Sequence, residues 1–323
     1  MAHVSASLDE SAPRARAGWK RWLAPAIGVA AVALAALLLH RTLSQYSVAE
    51  ILASLTEIPS GRIALAGLCA AASYLCLTGF DFLALRYVGS TLPYRRAALA
   101  SFCSLSLGHN IGFAALSSGA IRYRFYSRWG VSGANVAKII LFCGLTVGLG
   151  LATLGGVALL LRPDLAAKMT GLAEGAIVVL GLACLAAVAG YVALAAFVRK
   201  RLRIRKWTLE MPPLQLALAQ IAIGPINFAF VAGCLYHAIA GLSEVAYIPV
   251  ATAYVMANVT ALISHVPGGL GVIETVVLYL LPGAQVVGGL VAFRVIYFLV
   301  PLAIGAPLFG VSELVLKKAK RGT

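Results

Sequence analysis

Apolar runs of about 20 residues recur along this chain, at 22–40, 62–85, 134–161, 174–198, 214–240 and 285–309. Each reaches the length a helix needs to cross a roughly 30 Å hydrocarbon core. Lipid offers no partner to a bare N–H or C=O, so segments that cross it close their hydrogen bonds internally, as helices. With 61% hydrophobic residues, 11 acidic residues in 323 and a mean hydropathy of +0.92, the remaining sequence is too poor in charge to clothe a soluble domain of this size. The expected fold is an all-α polytopic membrane protein.

The formal net charge is +15. Its basic residues sit in short clusters between apolar runs, not along one face or motif, so the charge speaks for membrane orientation and against nucleic acid as a partner. Residues 1–21, MAHVSASLDESAPRARAGWKR, are polar and Arg-rich and read as a cytoplasmic N-terminal tail before a retained helix; 316–323 reads as a basic cytoplasmic C-terminal tail. The six Cys lie in apolar runs with no metal-ligand spacing, which predicts helix-packing roles and no metal. No nucleotide-binding or catalytic motif stands out, so neither cofactor nor enzymatic activity is expected.

Two further apolar stretches are broken. The stretch 97–124 is interrupted by Gly108, His109, Asn110 and Gly112, then by Ser117, Ser118 and Gly119. The stretch 247–282 is interrupted by SHVPGGLG at 264–271. Full crossings would throw Arg122, Arg124, Arg128 and Lys138 to the outer side, against the positive-inside bias. If both stretches are re-entrant helical hairpins, every basic cluster, including RKRLRIRK at 199–206 and KKAKR at 317–321, falls in the cytoplasm. The count is then about six transmembrane helices plus two hairpins.

The order span, span, hairpin, span occurs twice, with the tip histidines His109 and His265 separated by 156 positions. The first half starts inside and the second outside, so the two are inverted repeats, at about 22–161 and 174–309, within one membrane domain covering 22–315. Interrupted helices in matching positions of inverted repeats point to a transport site near the midplane. Gly268 and Gly269 suit a tight tip whose amides face a cavity, and Arg122 is able to bind phosphate bidentately. Charges are costly in a membrane, which singles out Asp81, Glu274 and Arg294. The candidate substrate-binding set is therefore Asp81, His109, Asn110, Arg122, His265, Gly268, Gly269, Glu274 and Arg294. A Glu274–Arg294 pair that merely locks helices is the structural alternative.

The run GHNIGFAALSSGAIRYRFY at 108–126, the later HVPGGLGVIE at 265–274 and Asp81 resemble the membrane flippase region of lysylphosphatidylglycerol synthases, the multiple peptide resistance factors of bacteria. The similarity runs from about 22 to 315. It implies a multi-pass protein of the bacterial inner membrane that moves an aminoacylated or other phospholipid from the inner to the outer leaflet, with Asp81 and Arg122 at polar positions that matter in the family. No stretch matches the family's aminoacylating cytoplasmic domain. The resemblance therefore implies a separate lipid aminoacyltransferase as partner, or a different lipid; a homo-oligomer is compatible with either. Two rival readings remain: a secondary transporter of a small ion or solute, and a non-transporting membrane assembly protein.

Overall fold

The computed structural model describes residues 55–111, 114–198, 202–204, 207–282 and 286–319. The expected span at 22–40, the tail 1–21, Gly112 and residues 320–323 lie outside the described residues. Helices dominate: α1 Ser60–Tyr87, α2 Tyr94–Ile111, α3 Ala114–Arg128, α4 Gly133–Leu161, α5 Pro163–Thr170, α6 Glu174–Phe197, α7 Leu214–Ile239, α8 Tyr247–Ser264, α9 Val272–Leu280, α10 Val286–Arg294 and α11 Val300–Ala319. A π-helical turn, Val295–Leu299, joins α10 to α11, and a 3₁₀ turn, Pro267–Gly269, precedes α9. Between α6 and α7 a short antiparallel hairpin pairs β1 Leu202–Ile204 with β2 Trp207–Leu209, within the basic loop.

Six of these helices are long and apolar enough to cross a membrane: α1, α4, α6, α7, α8 and the continuous α10–α11. Five match expected spans within a few residues. The sixth, α8, was expected as one arm of a hairpin; its 18 residues measure about 27 Å, close to the hydrocarbon thickness. By contrast α9 has nine residues, about 13 Å, and cannot cross by itself. Large apolar side chains cover the outside, with Leu68, Leu75, Val179 and Phe197 all more than 60% exposed, whereas Asp81, Ser101, Ser104, Thr146 and Gln220 are fully enclosed. Such an inside-out distribution suits lipid as the surrounding solvent, since apolar patches this extensive are not left facing water.

Small residues let the helices approach closely. A methyl group added at Gly150 of α4 would lie 2.6 Å from the carbonyl carbon of Gly224 on α7, so the two backbones touch there. Next to this crossing, Gln220 of α7 donates to Thr146 Oγ1 of α4 (2.8 Å) and accepts from the Tyr191 hydroxyl of α6 (2.5 Å). Close backbone contact and interhelical polar bonds drive association where hydrophobic burial cannot.

Contacts sort the helix ends into two groups. At one end Arg96, near the start of α2, lies over the Trp129 ring just after α3; Tyr87, at the end of α1, donates to the Glu210 carbonyl beside the basic loop; and Glu313 of α11 pairs with Arg124 and Arg128 of α3. At the other end Arg62 of α1 meets His237 of α7, and Lys168 of α5 donates to the Tyr279 carbonyl of α9.

Candidate functional site

Three polar clusters built on ion pairs between helices stand out among the described residues. The most enclosed joins α1 to α3. The Arg122 guanidinium donates through Nε (2.9 Å) and Nη2 (2.8 Å) to the two oxygens of Asp81, and the Tyr126 hydroxyl donates to Asp81 Oδ1 (2.8 Å). Asp81 is 0% exposed and Arg122 4%. The i, i+4 spacing of Arg122 and Tyr126 puts both on one face of α3, where they hold one carboxylate.

The second cluster forms where the two broken segments meet. His265, in the left-handed conformation (φ 55°), ends α8, and the chain reverses through Gly268, Gly269 and Gly271, all at positive φ. Glu274 caps α9 by accepting from the Gly271 amide (2.9 Å). Its carboxylate also takes Arg294 Nε (2.6 Å) and Nη2 (3.0 Å), and the same guanidinium donates to the carbonyls of Gly268 (2.5 Å) and Gly269 (2.8 Å). Arg294, 2% exposed, thus ties the second tip to the last long helix immediately before its π turn.

The first tip sits against the second. A methyl group at Gly268 would lie 3.4 Å from the His109 carbonyl oxygen, and one at Gly108 would lie 2.8 Å from Ser118 Cβ, so α2 and α3 converge there too. The His109 ring stacks on Tyr297 with centroids 6.4 Å apart and meets Tyr74 edge-on. Its Nδ1 is enclosed and has no hydrogen-bond partner among the described residues. Beside it Ser73 of α1 donates to Asn227 Oδ1 of α7 (2.7 Å) and shares a 2.9 Å bond with the Tyr297 hydroxyl. Tyr74 and Asp81 lie two turns apart on one face of α1, about 10 Å along its axis.

The third cluster is nearer the surface. Glu313 receives Arg124 Nε and Nη2 (both 2.5 Å) and Arg128 Nη1 and Nη2 (both 2.8 Å), two guanidiniums on one carboxylate.

The structure brings seven of the nine candidates into the first two clusters or their walls: Asp81, His109, Arg122, Gly268, Gly269, Glu274 and Arg294. Asn110 is buried but turns back to the Ser106 carbonyl of its own helix (2.9 Å). His265 is exposed, with Nδ1 2.8 Å from the Ile263 carbonyl, so the tip histidines occupy unlike environments despite their matching positions. Glu274 and Arg294 form the pair that the sequence suggested. Sequence reasoning passed over Tyr126, Ser73, Asn227, Tyr297 and Glu313. A 154-residue register, which pairs Ser73 with Asn227, would have found two of them.

Ion pairs and hydroxyl networks enclosed by an apolar exterior, carried on six membrane-length helices, define a multi-pass α-helical membrane protein. The chain belongs to the family described as Lysylphosphatidylglycerol synthase TM region, which matches residues 26–305. Among its relatives, uncharacterized protein slr0712 of Synechocystis sp. is 34% identical over 304 residues, covering 93% of this chain and 94% of that protein. Inner membrane protein YbhN of Escherichia coli is 29% identical over 255 residues, 77% and 79% of the two chains.

Proposed function

We propose that this chain moves phospholipid between the leaflets of a bacterial inner membrane by transport, without chemical change to the lipid. The observation that carries the reading is the meeting of the two broken segments: the His109 carbonyl abuts Gly268, and a buried Arg294–Glu274 pair stands beside them. Two re-entrant hairpins, arriving from opposite sides as inverted repeats, account for this meeting. Register supports them: α1 begins at Ser60 and α7 at Leu214, 154 positions apart, and α2 begins at Tyr94 and α8 at Tyr247, 153 positions apart. The contacts of Arg96 with Trp129 and of Lys168 with Tyr279 support a return of each broken segment to the end where it began. The family's description and the name of the Escherichia coli relative support the membrane and the lipid.

Each buried pair is a carboxylate holding a guanidinium that a lipid phosphate would also suit. A phosphate displacing Asp81 from Arg122 preserves the bidentate geometry, and a released carboxylate then accepts an amine-bearing head group. Exchange of partner for partner keeps either charge from standing alone in a low-dielectric interior. The tails remain in the bilayer, and one repeat rocks on the other to change access. The basic end, with both termini, faces the cytoplasm, and an aminoacylated lipid, if carried, comes from a separate aminoacyltransferase.

The test is reconstitution of the full chain into vesicles with head-group-labelled phospholipids and a membrane-impermeant quencher. Lipid movement above that of empty vesicles, lost in Asp81→Ala and Arg122→Ala variants that remain folded, is the expected result. Movement equal to that of empty vesicles would discard the flippase reading.

A further inference from the structure

Where α1 begins and α7 ends, two cavities lie on either side of Arg62. One, about 490 Å³, is apolar and runs along α7 past Ile226, Ala229, Phe230 and Gly233 to Tyr236 and His237. The other, about 670 Å³, is formed by Arg62 and the α7–α8 connection from Ala240 to Ala246, with the exposed Glu244 on its wall. Arg62 stands at their junction: Nη1 is 3.2 Å from His237 Nδ1, and the guanidinium lies over the Tyr236 ring at 5.8 Å. No described carboxylate pairs with Arg62, in contrast to Arg122, Arg124, Arg128, Arg162 and Arg294.

Gly233 lets α7 approach α1 closely beside the groove: a methyl group there would stand 3.1 Å from Cys69 Sγ of α1. From Ile226 to His237 the groove follows one stripe of α7 for about 16 Å, close to the depth of a single leaflet. A tail-length apolar groove opening at a membrane-surface cation suits an anionic amphiphile, and the commonest one in a bacterial membrane is an acyl chain joined to a phosphate. We propose that a glycerophospholipid docks here, one acyl chain along Ile226–Gly233 and its phosphate on the Arg62 guanidinium. The site lies at the end opposite Arg86 and the basic loops. Its meaning as a delivery station in the outer leaflet rests on the transport reading; the binding itself does not.

The experiment uses the full chain in nanodiscs of galactosyl diacylglycerol, which supplies tails and no phosphate, doped with phosphatidylglycerol bearing a photoactivatable acyl chain. Crosslinks mapped by mass spectrometry should fall in the 226–237 segment. Arg62→Gln should lower them about tenfold, the effect of losing a charge-assisted contact. Arg62→Lys should keep most of the labelling, Glu313→Gln, at the opposite end, should leave it unchanged, and Ala229→Leu, which narrows the groove without altering charge, should lower it, with heat-unfolding midpoints confirming folded protein. No labelling of 226–237, equal labelling in Arg62→Gln, or equal labelling by a photoactivatable diacylglycerol lacking phosphate overturns the proposal. Labelling at 226–237 in a protein that moves no lipid would remove the transport reading and leave this site standing. Lipid movement without such labelling would do the reverse.

Discussion

Replacing Arg122 by Gln tests whether the Asp81–Arg122 pair serves only to join α1 to α3. The substitution removes two charge-assisted hydrogen bonds from a carboxylate with 0% exposure and leaves it with the Tyr126 hydroxyl. At about 1.5–3 kcal/mol for each such bond, the loss falls near the 3–5 kcal/mol typical of stranding one partner of a buried pair. Replacing both residues by apolar ones, Asp81→Leu with Arg122→Met, strands nothing and should cost less than either single change, since buried pairs are often replaceable without loss. The assay is denaturant unfolding of the unaltered protein, Asp81→Leu, Arg122→Met and the double variant in one detergent, with Arg122→Gln measured alongside, followed by lipid movement in vesicles. The stability cycle should show the double variant recovering at least about 2 kcal/mol relative to the summed single losses, while lipid movement stays absent. Single losses below about 1 kcal/mol would refute the burial argument, and a double variant that still moves lipid would show that the pair only packs helices.

Three further outcomes follow from particular contacts. Gly150→Ala drives a methyl group into the Gly224 backbone and should destabilise the protein by about 1–3 kcal/mol, read as a lower unfolding midpoint; an unchanged midpoint would deny the α4–α7 contact. His265→Gly relieves a left-handed non-glycine residue and should be stabilising by up to about 1 kcal/mol without affecting lipid movement, whereas His265 as a substrate ligand would make the variant inactive. Glu313→Gln frees two guanidiniums at a partly exposed position, so its stability cost should shrink as salt is raised; a salt-independent cost would contradict that exposure.

Much of the architecture was legible because lipid imposes a single length rule. Apolar runs located α1, α4, α6, α7 and the last long helix within a few residues, except that α11 continues to Ala319 beyond the apolar stretch, held there by Glu313 reaching α3. Glycine and proline located both breaks. The rule could not say how far α8 extends, because composition does not distinguish an 18-residue arm from an 18-residue crossing. Nor did charge counting reveal that Arg122 and Arg124, two positions apart on α3, face different partners; helical rotation of about 200° over two residues sends one to Asp81 and the other to Glu313. Hydroxyl partners such as Tyr126 and Ser73 were hidden for a related reason: Ser and Tyr are common in membrane helices, and only the fold shows which of them meet across α1, α7 and the π turn.

The bare meeting of Gly150 with Gly224 has a mechanical consequence. Most helix crossings interlock, knobs from one helix seated in gaps of the other, and turning them means lifting every knob. Where neither helix projects a side chain there is no knob to unseat, and one rod can roll on the other while keeping nearly the same area in touch, as far as the neighbouring Gln220–Thr146 bond gives. On the transport reading proposed above, α4 and α7 belong to opposite halves and that smooth spot would serve as a bearing on which the halves swivel, so filling it with a single methyl group would jam the motion even in a chain that still folds.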